Sequence, residues 1–185
     1  MAVRATRESR QDAAVVATGI GVAGDLIEVV EHLQAACLER GLTVAVAESC
    51  TGGLIAAAIT EVAGSSGYFL GGVVSYSNEA KEAFLDVPHE LLARHGAVSR
   101  EVAAAMASGA RARFEADLGV SVTGIAGPDG GSLEKPVGLV HLGLATAARV
   151  ETVHEQFGGD RSMIRQAAAL RALGLLHAAA LEGRP

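Results

Sequence analysis

The sequence predicts an α/β fold, a mixed sheet covered by helices on both faces, from three observations. Short apolar runs rich in β-branched residues alternate with stretches whose apolar residues recur at helical spacing. Two β-like runs, 137–146 and 150–157, follow each other closely enough for an antiparallel hairpin, so the sheet is not purely parallel. Half of the 185 residues are apolar, enough for one domain burying roughly 70% of the surface of its unfolded chain. No internal repeat or linker divides residues 25–185, which read as a single domain.

From Asp25, the residues Leu26, Val29, Val30, Leu33, Ala36 and Cys37 mark a first helix, and Gly41 stands where a helix end favours positive φ. Residues 43–47 read as a strand, followed by a tight turn and a helix over 54–62. A second strand is expected over 72–75 and a short helix over 78–85. Pro88 opens another helix ending near His95. Ser99 is a candidate N-cap for a long helix with Val102, Met106, Ala110 and Phe114 on its apolar face. A third strand covers 120–125, the hairpin follows, and Asp160 caps a final helix through about Leu181.

Residues 1–24 form an N-terminal extension, expected to be loosely ordered. Arg4, Arg7 and Arg10 ahead of an apolar stretch superficially resemble a signal peptide, but Asp12 and three glycines break the pattern. No run approaches the roughly 20 apolar residues of a membrane span. Two cysteines make no disulfide framework, which points to a reducing, cytoplasmic setting. A net charge of −6 argues against a nucleic-acid partner, since phosphate backbones demand clustered Lys and Arg. A small anion remains compatible, because a few N–H groups hold one phosphate.

Three segments carry candidate chemistry. In Ala47-Glu48-Ser49-Cys50-Thr51-Gly52-Gly53 a serine follows a buried strand, and the N–H groups of Cys50, Thr51 and Gly52 are placed to form an oxyanion hole. A helix-capping role for Ser49 or Thr51 is the plainer alternative. In Ser75-Tyr76-Ser77-Asn78-Glu79-Ala80-Lys81 the lysine sits in the first turn of a helix, opposing the macrodipole. Buried near the serine, Lys81 would lose basicity and accept a proton; exposed, it is a solvated surface residue, and Tyr76 is equally open. The third segment, 123–132, is glycine-rich and lets backbone approach a ligand, yet it is neither a Walker loop nor a dinucleotide fingerprint.

Other residues weigh less. Cys50 has no histidine in its segment and reads as a small buried thiol. The six histidines show no metal-ligand spacing, so neither metal nor cofactor is expected. Candidate substrate-binding residues are Ser66, Thr123, Gly124, Ala126, Gly127, Asp129, Arg161 and Arg165; the two arginines begin the last helix, where a solvated face is the simpler role.

Together the strings AESCTGG at 47–53, AGSSGYF at 63–69, SYSNEAK at 75–81, HGAVS at 95–99, TGIAGPDGGS at 123–132, EKPVG at 134–138 and GDR at 159–161 resemble the CinA C-terminal family. The resemblance runs from about Asp25 to Leu181. It implies a three-layer α/β/α sandwich with a five-stranded mixed sheet whose fourth strand runs antiparallel. It also implies hydrolysis of nicotinamide mononucleotide to nicotinic acid mononucleotide and ammonia by a serine and lysine that match Ser49 and Lys81, with Tyr76 in the pocket. A homodimer in the stand-alone form is the assembly it implies. The ligand phosphate is expected on the Ser66 turn or the Thr123 loop. A nucleotide-binding regulatory module and a competence-related interaction protein are the competing readings; possession of both Ser49 and Lys81 favours the enzyme.

Overall fold

The computed structural model describes residues 22–183, with side chains from Asp25 onward. Through residue 21 the N-terminal extension lies outside the described residues. The elements run α1 (Val22–Arg40), β1 (Val44–Glu48), α2 (Leu54–Glu61), a 3-10 turn (Ser65–Gly67), β2 (Phe69–Val74), α3 (Asn78–Leu85) and α4 (His89–His95). They continue with α5 (Arg100–Arg113), β3 (Leu118–Gly124), β4 (Leu139–Ala145), β5 (Val150–Gln156) and α6 (Arg161–Glu182).

The five strands form one sheet in the order β2-β1-β3-β4-β5. The central strand β1 pairs in parallel with both β2 and β3, whereas β4 runs antiparallel to β3 and β5. This is the mixed sheet that the late hairpin indicated, with the five strands and antiparallel fourth strand that the family resemblance implied.

Alternation along the strands divides the core. Val44 and Val46 of β1 and Val120 and Val122 of β3 pack with α1, α2 and α6 through Leu33, Ile55, Ile59 and Leu173. Ala45 and Ala47 point to the other face, toward Leu85, Val87, Leu92, Val102 and Met106 of the α3, α4 and α5 side. All five residues of β1 are buried, as expected for a strand covered on both faces.

Helix starts follow their capping chemistry. The side chains of Ser77, Ser99 and Asp160 accept hydrogen bonds from the N–H groups of Ala80, Val102 and Met163, satisfying donors that each first turn leaves free. Gly41 ends α1 at φ 62°, as its position indicated.

Several boundaries depart from expectation: α1 already begins at Val22, within the segment expected as a loosely ordered extension, and β3 begins at Leu118 rather than 120. The strand expected over 72–75 begins earlier, at Phe69, because pairing with β1 draws in residues from Val44↔Phe69 onward. The strand expected from 137 begins at Leu139, because the Leu139 N–H is turned back to the Pro136 carbonyl and Gly138 adopts φ 94°. Among the described residues no helix is long and apolar enough to cross a membrane.

Candidate active site

The parallel strands carry their carboxyl ends to one edge of the sheet, and there the chain makes its tightest turns. Directly after β1, Ser49 is 8% exposed and its N–H donates to the Val122 carbonyl of β3 at 2.9 Å. After β2, the chain enters α3 and brings Lys81 inward to 1% exposure. Lys81 Nζ lies 3.1 Å from Ser49 Oγ, 2.8 Å from the Ser75 carbonyl oxygen and 3.4 Å from that of Tyr76. No carboxylate is hydrogen-bonded to this amine. Burial therefore pulls the Lys81 pKa below its ordinary value, with Cys50 and Glu79 opposing the shift.

The three contacts suit both forms of the amine: an ammonium donates to all three oxygens, whereas a neutral amine donates to the two carbonyls and offers its lone pair to the serine hydroxyl.

The serine turn is fixed from both sides. Beneath it, the fully buried Glu48 carboxylate accepts from the N–H groups of Gly53 (2.9 Å), Ile55 (3.2 Å) and Ala56 (2.8 Å). Gly53 adopts φ 96°, a backbone conformation that a side chain would strain, and α2 starts there with no side-chain cap of its own. Above, the Arg165 guanidinium donates to the Thr51 carbonyl at 2.6 Å. Sequence reasoning assigns Glu48 no role; its position immediately before the serine, at a strand-to-helix junction, is the signal that marks it.

The three proposed oxyanion donors separate. The Gly52 N–H donates to the Ser49 carbonyl at 3.1 Å and is used within the turn. The Thr51 N–H has no protein acceptor among the described residues, and the Cys50 N–H lies against its own thiol. The Cys50 thiol is pushed up to about 11, chiefly by burial, and carries no thiolate near neutrality.

Tyr76 and Arg161 border the site. Arg161 donates to the Gly127 carbonyl at 2.7 Å and to the Tyr76 hydroxyl at 3.2 Å, tying the 125–138 loop to the β2–α3 turn. Thr123 is buried and its hydroxyl donates to the Ala97 carbonyl at 2.8 Å. At Gly124 a Cβ would meet Val140 at 2.7 Å, so the glycine serves packing between β3 and β4. Ala126 is buried and Asp129 is exposed.

Ser66 stands apart. Its turn precedes β2 and so lies at the opposite end of the parallel strands from Ser49, about 15 Å away along β1. The anion-binding end of α2 is also closed, because the Glu48 carboxylate occupies it. Among the described residues no group of three His, Cys, Asp or Glu side chains is arranged to hold a metal ion.

Comparison with known proteins gives one consistent result. The family described as CinA C-terminal domain matches residues 26–180. A CinA-like protein of Geobacter sp. (strain M21) is 56% identical over 154 residues, covering 83% of this chain and 37% of the relative. A putative competence-damage inducible protein of Moorella thermoacetica is 58% identical over 137 residues, 74% of this chain and 33% of the relative. The chain thus spans little more than a third of these relatives. The crystal structure of a competence/damage inducible protein from Agrobacterium tumefaciens superimposes with a TM-score of 0.81 at 47% identity, covering 83% of this chain and 94% of that one.

Proposed function

The chain belongs to the CinA C-terminal domain family, and we propose that it is an amidohydrolase converting nicotinamide mononucleotide and water to nicotinic acid mononucleotide and ammonia. The observation that carries the proposal is the buried Ser49–Lys81 pair, with Nζ 3.1 Å from Oγ. A serine beside a buried lysine of lowered basicity is an activated nucleophile; a module that only binds a nucleotide has no use for the pair.

In the first step Ser49 Oγ attacks the carboxamide carbon and its proton passes to Lys81 Nζ. Negative charge develops on the amide oxygen, where the N–H groups of Cys50 and Thr51 are the candidate donors. Lys81, now ammonium, gives its proton to the departing nitrogen and ammonia leaves. The nicotinoyl ester on Ser49 is then attacked by water, which Lys81 deprotonates, and the acid is released as the serine regains its proton.

Tyr76 supplies an exposed aromatic ring at the mouth, suited to a pyridinium face. Arg161 keeps N–H groups beyond those on Gly127 and Tyr76 for the substrate phosphate, whereas Arg165 is turned to the Thr51 carbonyl. Ammonia release from nicotinamide mononucleotide by the purified chain, measured beside Ser49→Ala and Lys81→Met, tests the reading. Turnover undiminished in either variant would overturn it.

A further inference from the structure

We infer that the concave face between the β4–β5 hairpin and the start of α5 is a second ligand site, separate from Ser49 and Lys81, which takes the phosphate of a small phosphomonoester. The concavity measures about 420 Å³ and is lined by Arg100, Leu139, His141, Thr152, Val153 and His154. That volume falls in the ordinary range for small-ligand sites, roughly 300–1,000 Å³.

His141 and His154 face each other directly across the β4–β5 ladder, with ring centroids 5.8 Å apart. His141 Nδ1 is buried and has no hydrogen-bond partner among the described residues. Arg100 opens α5, and none of the hydrogen bonds or ion pairs among the described residues uses its guanidinium. Lys135 stands near, its Nζ donating to the His95 carbonyl at 2.6 Å. The acidic neighbour, Glu101, has His95 Nδ1 at 3.6 Å. Burial, then His154, Lys135 and Arg100 lower the His141 pKa, against Glu101.

These groups define the ligand's chemistry. Arg100, Lys135 and His154 surround a half-buried imidazole whose Nδ1 lacks a partner, and one carboxylate opposes them, so an anion completes the set and a cation does not. A dianionic phosphate offers acceptors in several directions at once, matching Arg100, His141 and His154. The apolar Leu139, on the same face of β4 as His141, suits an organic remainder.

The site is not the amide-cleaving one. Ser49 follows Glu48, whose β3 partner is Val122; the next residue, Thr123, pairs with His141. Ser49 and His141 are therefore two strands apart, about 10 Å. Between them the Thr123 hydroxyl is bonded to the Ala97 carbonyl.

The test is calorimetric titration of the full chain with ribose 5-phosphate, inorganic phosphate and chloride at constant ionic strength, with histidine C2–H resonances followed by NMR. Ribose 5-phosphate should bind saturably, more tightly than inorganic phosphate and more tightly at pH 6 than at pH 8, with proton uptake and shifts at His141 and His154. Arg100→Gln and His154→Gln, both at exposed positions, should weaken binding tenfold or more, and Arg161→Gln should leave it unchanged. Non-saturating shifts equal to those with chloride, or undiminished binding in Arg100→Gln, would overturn the site. Loss of binding in Arg161→Gln would place the anion at the Ser49 site instead. Inorganic phosphate binding as tightly as the sugar phosphate would overturn the phosphomonoester assignment.

Discussion

Lys81 Nζ approaches Ser49 Oγ to 3.1 Å across 32 residues of sequence, and its two other contacts are main-chain carbonyls. A base assembled in this way depends on being uncharged. Ser49→Ala should therefore lower kcat by 10² or more while leaving fold and ligand affinity nearly intact. Ammonia release and the circular dichroism melt check both halves.

The pH profile follows from the direction of the Lys81 shift. Its folded-state pKa lies below the unfolded value of about 10.4, so activity rises as pH passes upward through the depressed value. Lys81→Met should abolish that limb along with turnover. Lys81→Arg should fail as well, because a guanidinium stays protonated.

The same shift acts on stability. Between the depressed folded pKa and about 10.4 the unfolded chain binds the extra proton, so this group's contribution to stability falls as pH falls through that window. Lys81→Met removes the penalty. Its melting temperature at pH 7 should exceed that of the wild type, and thermal melts at pH 7 and pH 10 should differ less than the wild type's do.

Glu48 holds three N–H groups in a fully buried site. Gln at this position turns an NH2 toward donors that need an acceptor, at a cost of about 1–3 kcal/mol. Glu48→Gln should also loosen the oxyanion turn, lowering kcat about tenfold or more with KM little changed. Steady-state kinetics with a denaturation curve separates the two effects.

Cys50→Ala should keep activity within a few-fold of wild type. The donor at this position is the main-chain N–H, and burial holds the thiol protonated. Intact-mass measurement after iodoacetamide at pH 8 should show Cys50 unmodified; rapid alkylation would reopen the choice of nucleophile.

Much of this architecture was legible because it is written locally. The caps at Ser99 and Asp160, the glycine ending α1 and the late hairpin each follow from a few neighbouring residues. The strings around Ser49 and Lys81 mark strand-to-helix junctions, but each alone reads as plainly as a helix cap or a surface lysine; only the family resemblance pairs them. What sequence could not convey was where hydrogen bonds go across long separations. Arg165 meets the Thr51 carbonyl over 114 residues, and Thr123 meets Ala97 over 26. Gly52 loses its N–H to a turn whose geometry depends on Glu48 below and Arg165 above. The early start of β2 depends on its partner strand, which no local propensity reports.

The nucleophile and its base rest on parts of the molecule with unequal resistance to opening. Ser49 adjoins β1, paired on both edges and buried throughout, whose amides should exchange with solvent only on global unfolding. Lys81 rides on α3, eight residues long with only Lys81 and Leu85 buried, a segment that can fray while the sheet persists. Warming should thus disarm the site by releasing α3 first: activity fades at temperatures where far-ultraviolet ellipticity is still native, and returns in full on cooling.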